Sequence, residues 1–259
     1  MIKYQDYDKN LNLSGKNAII TGGANGIGKA IAILFAEKGA NVVIFDIDKK
    51  AGETLCSELS VKNNIKACFY NTDLMNKQSI SDSVNKVEIE FGSIDILVNN
   101  AGVARLGKAE NLSEKDWDIT MSLNLKSVFL CSQIIGNTMI KRGQGKIIQT
   151  ASQAGVIALD EHIAYCASKA GVISMTKVLA VEWAKYGINV NAVSPTVVLT
   201  DLGKEVWAGE KGEEMKKLIP NGRFAYPDEV AAVVLFLASD ASAMINGENI
   251  VIDGAYTIK

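Results

Sequence analysis

Short, continuous apolar runs alternate with longer stretches of helical spacing over almost the whole chain. Runs so uniformly apolar do not suit a sheet with one wet face. They indicate parallel strands covered on both sides. The strand candidates are residues 17–21, 42–45, 66–71, 94–98, 145–150, 188–193 and 248–252. Helical period runs through 27–38, where Ile27, Ile31, Leu34 and Phe35 share a face, and through 49–59, 77–91, 113–141, 163–186 and 228–238. Right-handed crossovers between such strands give an α/β fold, a doubly wound Rossmann sheet with helices on both faces. No Pro/Ser-rich linker or internal repeat divides the chain, so residues 1–259 read as a single domain. Residues 196–220 carry several charges and glycines with weak period, and read as a mobile lid or substrate loop.

Charge and composition exclude several functions. The chain has 27 Lys and Arg against 29 Asp and Glu, a formal net charge of −2, which leaves no strongly basic face for nucleic acid. The longest uninterrupted apolar run, 230–238, falls far short of the roughly 20 residues a bilayer crossing needs. Residues 1–6 are polar and hold no apolar signal core, so a cytoplasmic protein is expected. The four cysteines, at 56, 68, 131 and 166, form no C-x-x-C pair and read as reduced thiols. His162 is the single histidine, so a metal site of several imidazoles is impossible.

The segment 21–28, Thr-Gly-Gly-Ala-Asn-Gly-Ile-Gly, joins the first strand candidate to the first helix. Gly22 allows a sharp turn, Gly26 lets backbone approach a phosphate, and Gly28 permits close helix packing. The helix N-terminus then offers N–H groups and a positive dipole end to a pyrophosphate. Asp46 ends the second strand about 20 residues later, where a carboxylate hydrogen-bonds ribose hydroxyls and repels a 2′-phosphate. Asn25 in the loop is not basic either. The expected cofactor is therefore NAD rather than NADP. The competing reading of Asp46 is a cap for the following helix.

Tyr165 and Lys169 lie four residues apart at the start of a helix, on one face. An ammonium beside a phenol favours phenolate, so Lys169 is expected to lower the Tyr165 pKa and let the phenol exchange protons near neutrality. Ser152 follows a strand at its carboxyl end, the edge where open α/β sheets bind ligands. Its hydroxyl is placed to hold a substrate oxygen. A nucleophilic serine is disfavoured: Ser152 lacks a G-x-S-x-G setting, and His162 has no evident acid partner.

Thr21-Gly22, Gly26-Ile27-Gly28, Asn99-Asn100-Ala101-Gly102, Asn124, Ser152, Tyr165-x3-Lys169 and Ser194-Pro195 occur in the order of the short-chain dehydrogenase/reductases, and the chain resembles that family from about residue 13 onward. The resemblance implies Tyr165 as general acid/base, Lys169 holding the nicotinamide ribose, Ser152 orienting the substrate oxygen, and Asn124 positioning a proton-relay water. It implies a cofactor site of Gly22, Asn25, Gly26, Ile27, Gly28, Asp46, Ile47, Asp73, Leu74, Asn100, Ala101, Gly102, Tyr165, Lys169, Pro195, Val198 and Thr200. Asp73 would meet adenine, and Val198 and Thr200 the carboxamide. It further implies a homotetramer and no catalytic metal. Two departures stand out: Thr196 follows Pro195 where the family usually has Gly, and Gly254-Ala255 replaces a common Gly-Gly.

The overall pattern resembles the bacterial polyol and sugar-alcohol dehydrogenases of the family. Threitol, other tetritols and pentitols, and small vicinal diols are the substrates this implies. Gln153 and His162 would offer hydrogen bonds to further hydroxyls, and Trp207 would close the pocket. The alternative within the same chemistry is a 3-oxoacyl-acyl-carrier-protein or diacetyl-type reductase, disfavoured by scattered Lys and Arg. A non-enzymatic NAD-sensing module would be expected to lack Tyr165 or Lys169. Apolar residues on more than one face of 113–141 and 163–186 (Met121, Leu125, Val128 and Phe129; Ile173, Val178 and Val181) suggest burial against another subunit.

Overall fold

A computed structural model describes residues 7–259; the polar stretch 1–6, from which a cytoplasmic protein was expected, lies outside the described residues. The described residues form one sheet of seven parallel strands: β1 (Asn17–Thr21), β2 (Asn41–Asp46), β3 (Ala67–Asn71), β4 (Ile96–Asn99), β5 (Gly145–Thr150), β6 (Ile188–Pro195) and β7 (Asn249–Ile252). Their order across the sheet is β3-β2-β1-β4-β5-β6-β7. The strand order reverses between β1 and β4, and this reversal opens a crevice at their carboxyl ends. The expected doubly wound Rossmann fold is thus observed.

Both faces of the sheet are covered. On one face α1 (Gly26–Glu37), α2 (Lys49–Asn63) and α9 (Pro227–Ala238) bury Ile31, Phe35, Leu55, Leu59, Val230 and Val234 with Ile20 and Ile44. On the other, α3 (Lys77–Phe91), α5 (Ser127–Arg142) and α6 (Ile163–Trp183) bury Ile80, Val84, Ile135 and Leu179 with Ile19 and Leu97. Every residue of β1 is buried, which is why that strand carries no polar alternation.

Two segments and one residue differ from their sequence reading. The stretch 113–141 is not one plain helix: α4 (Glu114–Met121) passes through a π turn (Ser122–Lys126) into α5. By length and composition Glu114–Arg142 would pass for a membrane span, yet half of its apolar window is buried against its own fold. Val128, read as subunit-facing, is instead in the core beside Ala151, Val172 and Ala192. Residues 196–220 hold two short helices, α7 (Asp201–Val206) and α8 (Glu210–Leu218). Local interactions hold both. Thr200 Oγ1 accepts from Gly203 N at 3.0 Å, Lys216 pairs with Glu213, and each helix starts acidic and ends basic, matching its dipole.

Candidate active site

The loop after β1 is built to approach a ligand closely. Gly22 and Gly26 have φ of +62° and +56°, conformations that favour glycine. A Cβ at Gly28 would lie 2.1 Å from the Gly22 carbonyl oxygen and 2.7 Å from Asn100 Nδ2, so α1 packs directly on the turn. Thr21 Oγ1 accepts from Asn100 N at 3.0 Å and Ala101 N at 3.2 Å. Asn100 Nδ2 donates back to the Gly22 carbonyl at 3.0 Å. These bonds fasten the ends of β1 and β4 together at the crevice. Asn25 forms no side-chain cap at the start of α1, and no acid occupies its first turn. An uncapped helix start, with glycines where a side chain would intrude, fits the pyrophosphate of a dinucleotide.

Asp46 is half-buried at the end of β2. Its Oδ2 accepts from Ala24 N at 3.1 Å, and its Oδ1 from Ile47 N at 2.7 Å and Asp48 N at 3.1 Å. The cap of α2 is Asp48, not Asp46: Asp48 accepts from Ala51 N, and its other oxygen meets Asn25 Nδ2 at 3.2 Å. Asp73 is exposed at the neighbouring strand end, where its Oδ1 accepts from Met75 N. Ile47 stands exposed on the rim, whereas Leu74 buries its side chain in the core. Ile27 packs against the opposite core cluster.

On the other side of the crevice a second group converges. Asn124 sits in the π turn, fully buried; Oδ1 accepts from Val103 N and Nδ2 donates to Val103 O, both at 2.8 Å. A π turn inserts a residue into the helix and re-aims its neighbours, which brings Asn124 to this edge. A Cβ built on Gly102 would lie 3.2 Å from Asn124 Oδ1 and 3.6 Å from Lys169 Nζ, so Gly102, Asn124 and Lys169 meet. Lys169 Nζ donates to the Thr150 carbonyl at 2.7 Å, and burial pushes its ammonium down to about 8. Ser152 Oγ accepts from Ala154 N, and its hydroxyl lies near enough to the Tyr165 phenol to lower that group's pKa.

The expected depression of the Tyr165 pKa is corrected by this geometry. Burial raises the phenol above its ordinary value, and the Ser152 hydroxyl only partly offsets it. Lys169 is itself driven toward neutrality, its Nζ bound to Thr150 O and 5.7 Å from the Tyr165 ring centroid.

The residues read as substrate contacts divide. His162 lies edge-on to Tyr165, ring centroids 6.1 Å apart. Its Nδ1 faces the Asp160 carbonyl, which can only accept, so Nδ1 carries a hydrogen there and Nε2 is left for another partner. Gln153 is buried beside Ser152, and its Oε1 has no partner. Trp207 rests on Phe224, centroids 5.8 Å apart, with Lys211 over its face; its described ring contacts are not to Ser152 or Tyr165. Pro195 ends β6, Val198 bridges Ala225, and Thr200 reaches the phosphate loop, its methyl 3.2 Å from where a Gly26 Cβ would stand. Sequence reasoning missed the Thr21 hydroxyl as a clasp. A polar residue closing a fully buried strand was the available signal. It also missed the Thr150 carbonyl and Val103, which act through backbone atoms, and Ser168, whose hydroxyl donates to Tyr165 O at 2.8 Å and accepts from Asn124 Nδ2 at 3.3 Å.

A family model described as enoyl-(acyl carrier protein) reductase matches residues 22–257. The chain is 56% identical to an NAD-dependent glycerol dehydrogenase of Listeria innocua, over 99% of both chains. It is 52% identical to a D-threitol dehydrogenase of Mycolicibacterium smegmatis, over 97% of this chain and 96% of that one. The crystal structure of an NAD+-bound xylitol dehydrogenase superposes with a TM-score of 0.89 at 27% identity, covering 93% of this chain and 98% of that one.

Proposed function

The chain belongs to the short-chain dehydrogenase/reductase family, and from that premise we propose that it oxidises a secondary alcohol of a small polyol or vicinal diol with NAD+, Tyr165 acting as general base. The observation that carries this reading is the convergence of Ser152, Tyr165, Lys169 and Asn124 at the carboxyl edge of the sheet, across the crevice from the glycine loop. The relatives named for glycerol and D-threitol support the substrate class.

The glycine loop and the start of α1 hold the pyrophosphate, Asp46 receives ribose hydroxyls, and Asp73 borders the adenine. Asn100, Ala101, Gly102, Pro195, Val198 and Thr200 line the remainder of the dinucleotide cleft, with Ile47 on the rim. NAD+, when bound, supplies the acceptor for the hydride leaving the carbinol carbon. The residues handle the proton. Ser152 Oγ holds the substrate oxygen and, by hydrogen bonding to the phenolate, opposes the burial that disfavours it. Tyr165 takes the alcohol proton. Lys169, poised at about 8, exchanges that proton near working pH. Asn124, locked at both ends of its amide by Val103, orders a water that passes it to solvent. His162 Nε2 and Gln153 offer hydrogen bonds to further hydroxyls, and Trp207 anchors the lid over the pocket.

The working form is a homotetramer, with Met121, Leu125 and Phe129 of α4–α5 and Met175 of α6 part of a subunit interface. A reducing cytoplasm suits four cysteines that all remain thiols. The test is turnover of purified protein with NAD+ or NADP+ and glycerol, D-threitol, xylitol or propanediol, read by reduced-cofactor absorbance. NAD+ with a polyol is expected to be fastest. Tyr165→Phe is expected to lower kcat by at least about 10²-fold while leaving NAD affinity within about twofold. Full activity in that variant would end the acid/base assignment.

A further inference from the structure

Among the described residues, three buried side-chain oxygens have no hydrogen-bond partner: Thr150 Oγ1, Gln153 Oε1 and Thr196 Oγ1. Buried polar atoms are nearly always paired, and an orphan costs about 1–3 kcal/mol. Elsewhere the core observes that rule: Asn17, Asn99, Gln149, Asn191 and Ser194 are all buried and all bonded. The exceptions therefore cluster. Thr150 and Gln153 flank Ser152 along the chain where β5 leaves the sheet, and Thr196 follows the end of the neighbouring β6.

Strand register places Thr196 against this edge. Thr150 pairs with Val193, and Ala151 N donates to Val193 O at 2.8 Å. Ser152 is still extended, with φ −169° and ψ 157°. Continuing the register sets Ser152 level with Pro195 on the adjacent strand, about 4.8 Å away, and Thr196 one residue further out. The Thr196 amide is fixed by donation to Ile252 O at 3.0 Å, and its φ is not in the left-handed region. The backbone thus accepts a β-branched residue here at no strain, and what Thr adds is a hydroxyl.

We propose that Thr196 is a specificity-determining residue whose hydroxyl binds the substrate hydroxyl next to the reacting carbon, so that the enzyme reads vicinal diols rather than isolated alcohols. This rests on the polyol reading above. An unpaired hydroxyl beside Ser152 is completed by a ligand that brings its own hydroxyl, and a monohydroxy alcohol leaves it unpaired. A site built to hydrogen-bond a substrate hydroxyl discriminates strongly against the analogue lacking it.

Thr196→Val keeps the shape and removes the hydroxyl. The readout is the ratio of kcat/KM for a vicinal diol (propane-1,2-diol, glycerol or threitol) to that for propan-2-ol, with Thr196→Ser as the conservative variant. The ratio is expected to fall about 10- to 100-fold in Thr196→Val and to recover in Thr196→Ser. Thermal unfolding provides a second measurement. Without ligand, an orphaned hydroxyl replaced by a methyl leaves Tm unchanged or raised. An unchanged ratio in Thr196→Val, with wild type preferring diols, overturns the inference alone. So does a lowered Tm with the ratio intact, which would mark a structural hydroxyl bonded within the fold or to buried water. A wild type indifferent to the second hydroxyl instead overturns the polyol reading, and the inference falls with it.

Discussion

Ala255 shows how a single position departs from its ideal residue. Its φ is +71°, a left-handed conformation that costs an L-residue about 1–2 kcal/mol. The Asp253 carboxylate offsets this by accepting from Ala255 N at 2.9 Å and Thr257 N at 2.7 Å. Ala255→Gly relieves the strain, and a gain of about 1 kcal/mol in chemical denaturation is expected; a loss would show that the methyl packs favourably. The proposed proton-handling pair also predicts a pH dependence. In the proposed reaction oxidation uses the Tyr165 phenolate, and burial holds the phenol above its ordinary value. The base form grows with pH, so kcat/KM for alcohol oxidation should climb from neutrality through about pH 8, where Lys169 gives up its charge, and onward. Carbonyl reduction needs the protonated phenol and should fall over the same range. A pH profile in both directions tests the sign, and an oxidation rate that declines above neutrality would contradict it.

Among the elements, α1 is packed directly on the turn that precedes it. Its start lies so close to the preceding turn that Gly28 has backbone where a Cβ would be. Gly28→Ala should push α1 off the turn, weaken NAD binding by at least about tenfold and lower Tm; titration of cofactor fluorescence and a melting curve would read both. Unaltered affinity would mean that the loop does not hold the dinucleotide. The helices α7 and α8 show the opposite economy. Few of their residues are buried, and caps and i,i+3 ion pairs hold them, so they belong to the least stable part of the molecule. Thr200 ties the start of α7 to the phosphate loop, and Lys259 Nζ donates to the Leu218 carbonyl at the end of α8. The segment carrying α7 and α8 is thus moored at both ends.

For the molecule as a whole, the reversal of strand order between β1 and β4 opens the crevice where ligands bind in such sheets, and the candidate site residues stand on either side of it. The outer face of α4–α5 and α6 stays apolar after the sheet contacts are made: Phe129, Val178 and Val181 remain exposed. Light scattering is expected to give a mass several times that of one 27.8 kDa chain. Phe129→Glu should shift the population toward smaller species. A monomeric wild type would refute the proposed assembly.

The order of strands and helices was legible because each carries its own local period. β1, α3 and β5 fall where the pattern placed them, and α9 begins one residue earlier, at Pro227. Tyr165 and Lys169 were legible for the same reason, since helical spacing alone puts them on one face. The electrostatics of the site were not. Thr150 and Lys169, Val103 and Asn124, and Thr21 and Asn100 are separated by 19, 21 and 79 residues, and meet only when the sheet forms. Their bonds run largely through backbone atoms, which every residue type carries and no sequence pattern marks. Burial, which raises Tyr165 and lowers Lys169, is likewise a property of the packed molecule, and so are the three unpaired oxygens near the ends of β5 and β6. Periodicity and motif reside in neighbouring residues; dielectric and partnership arise from distant ones brought together.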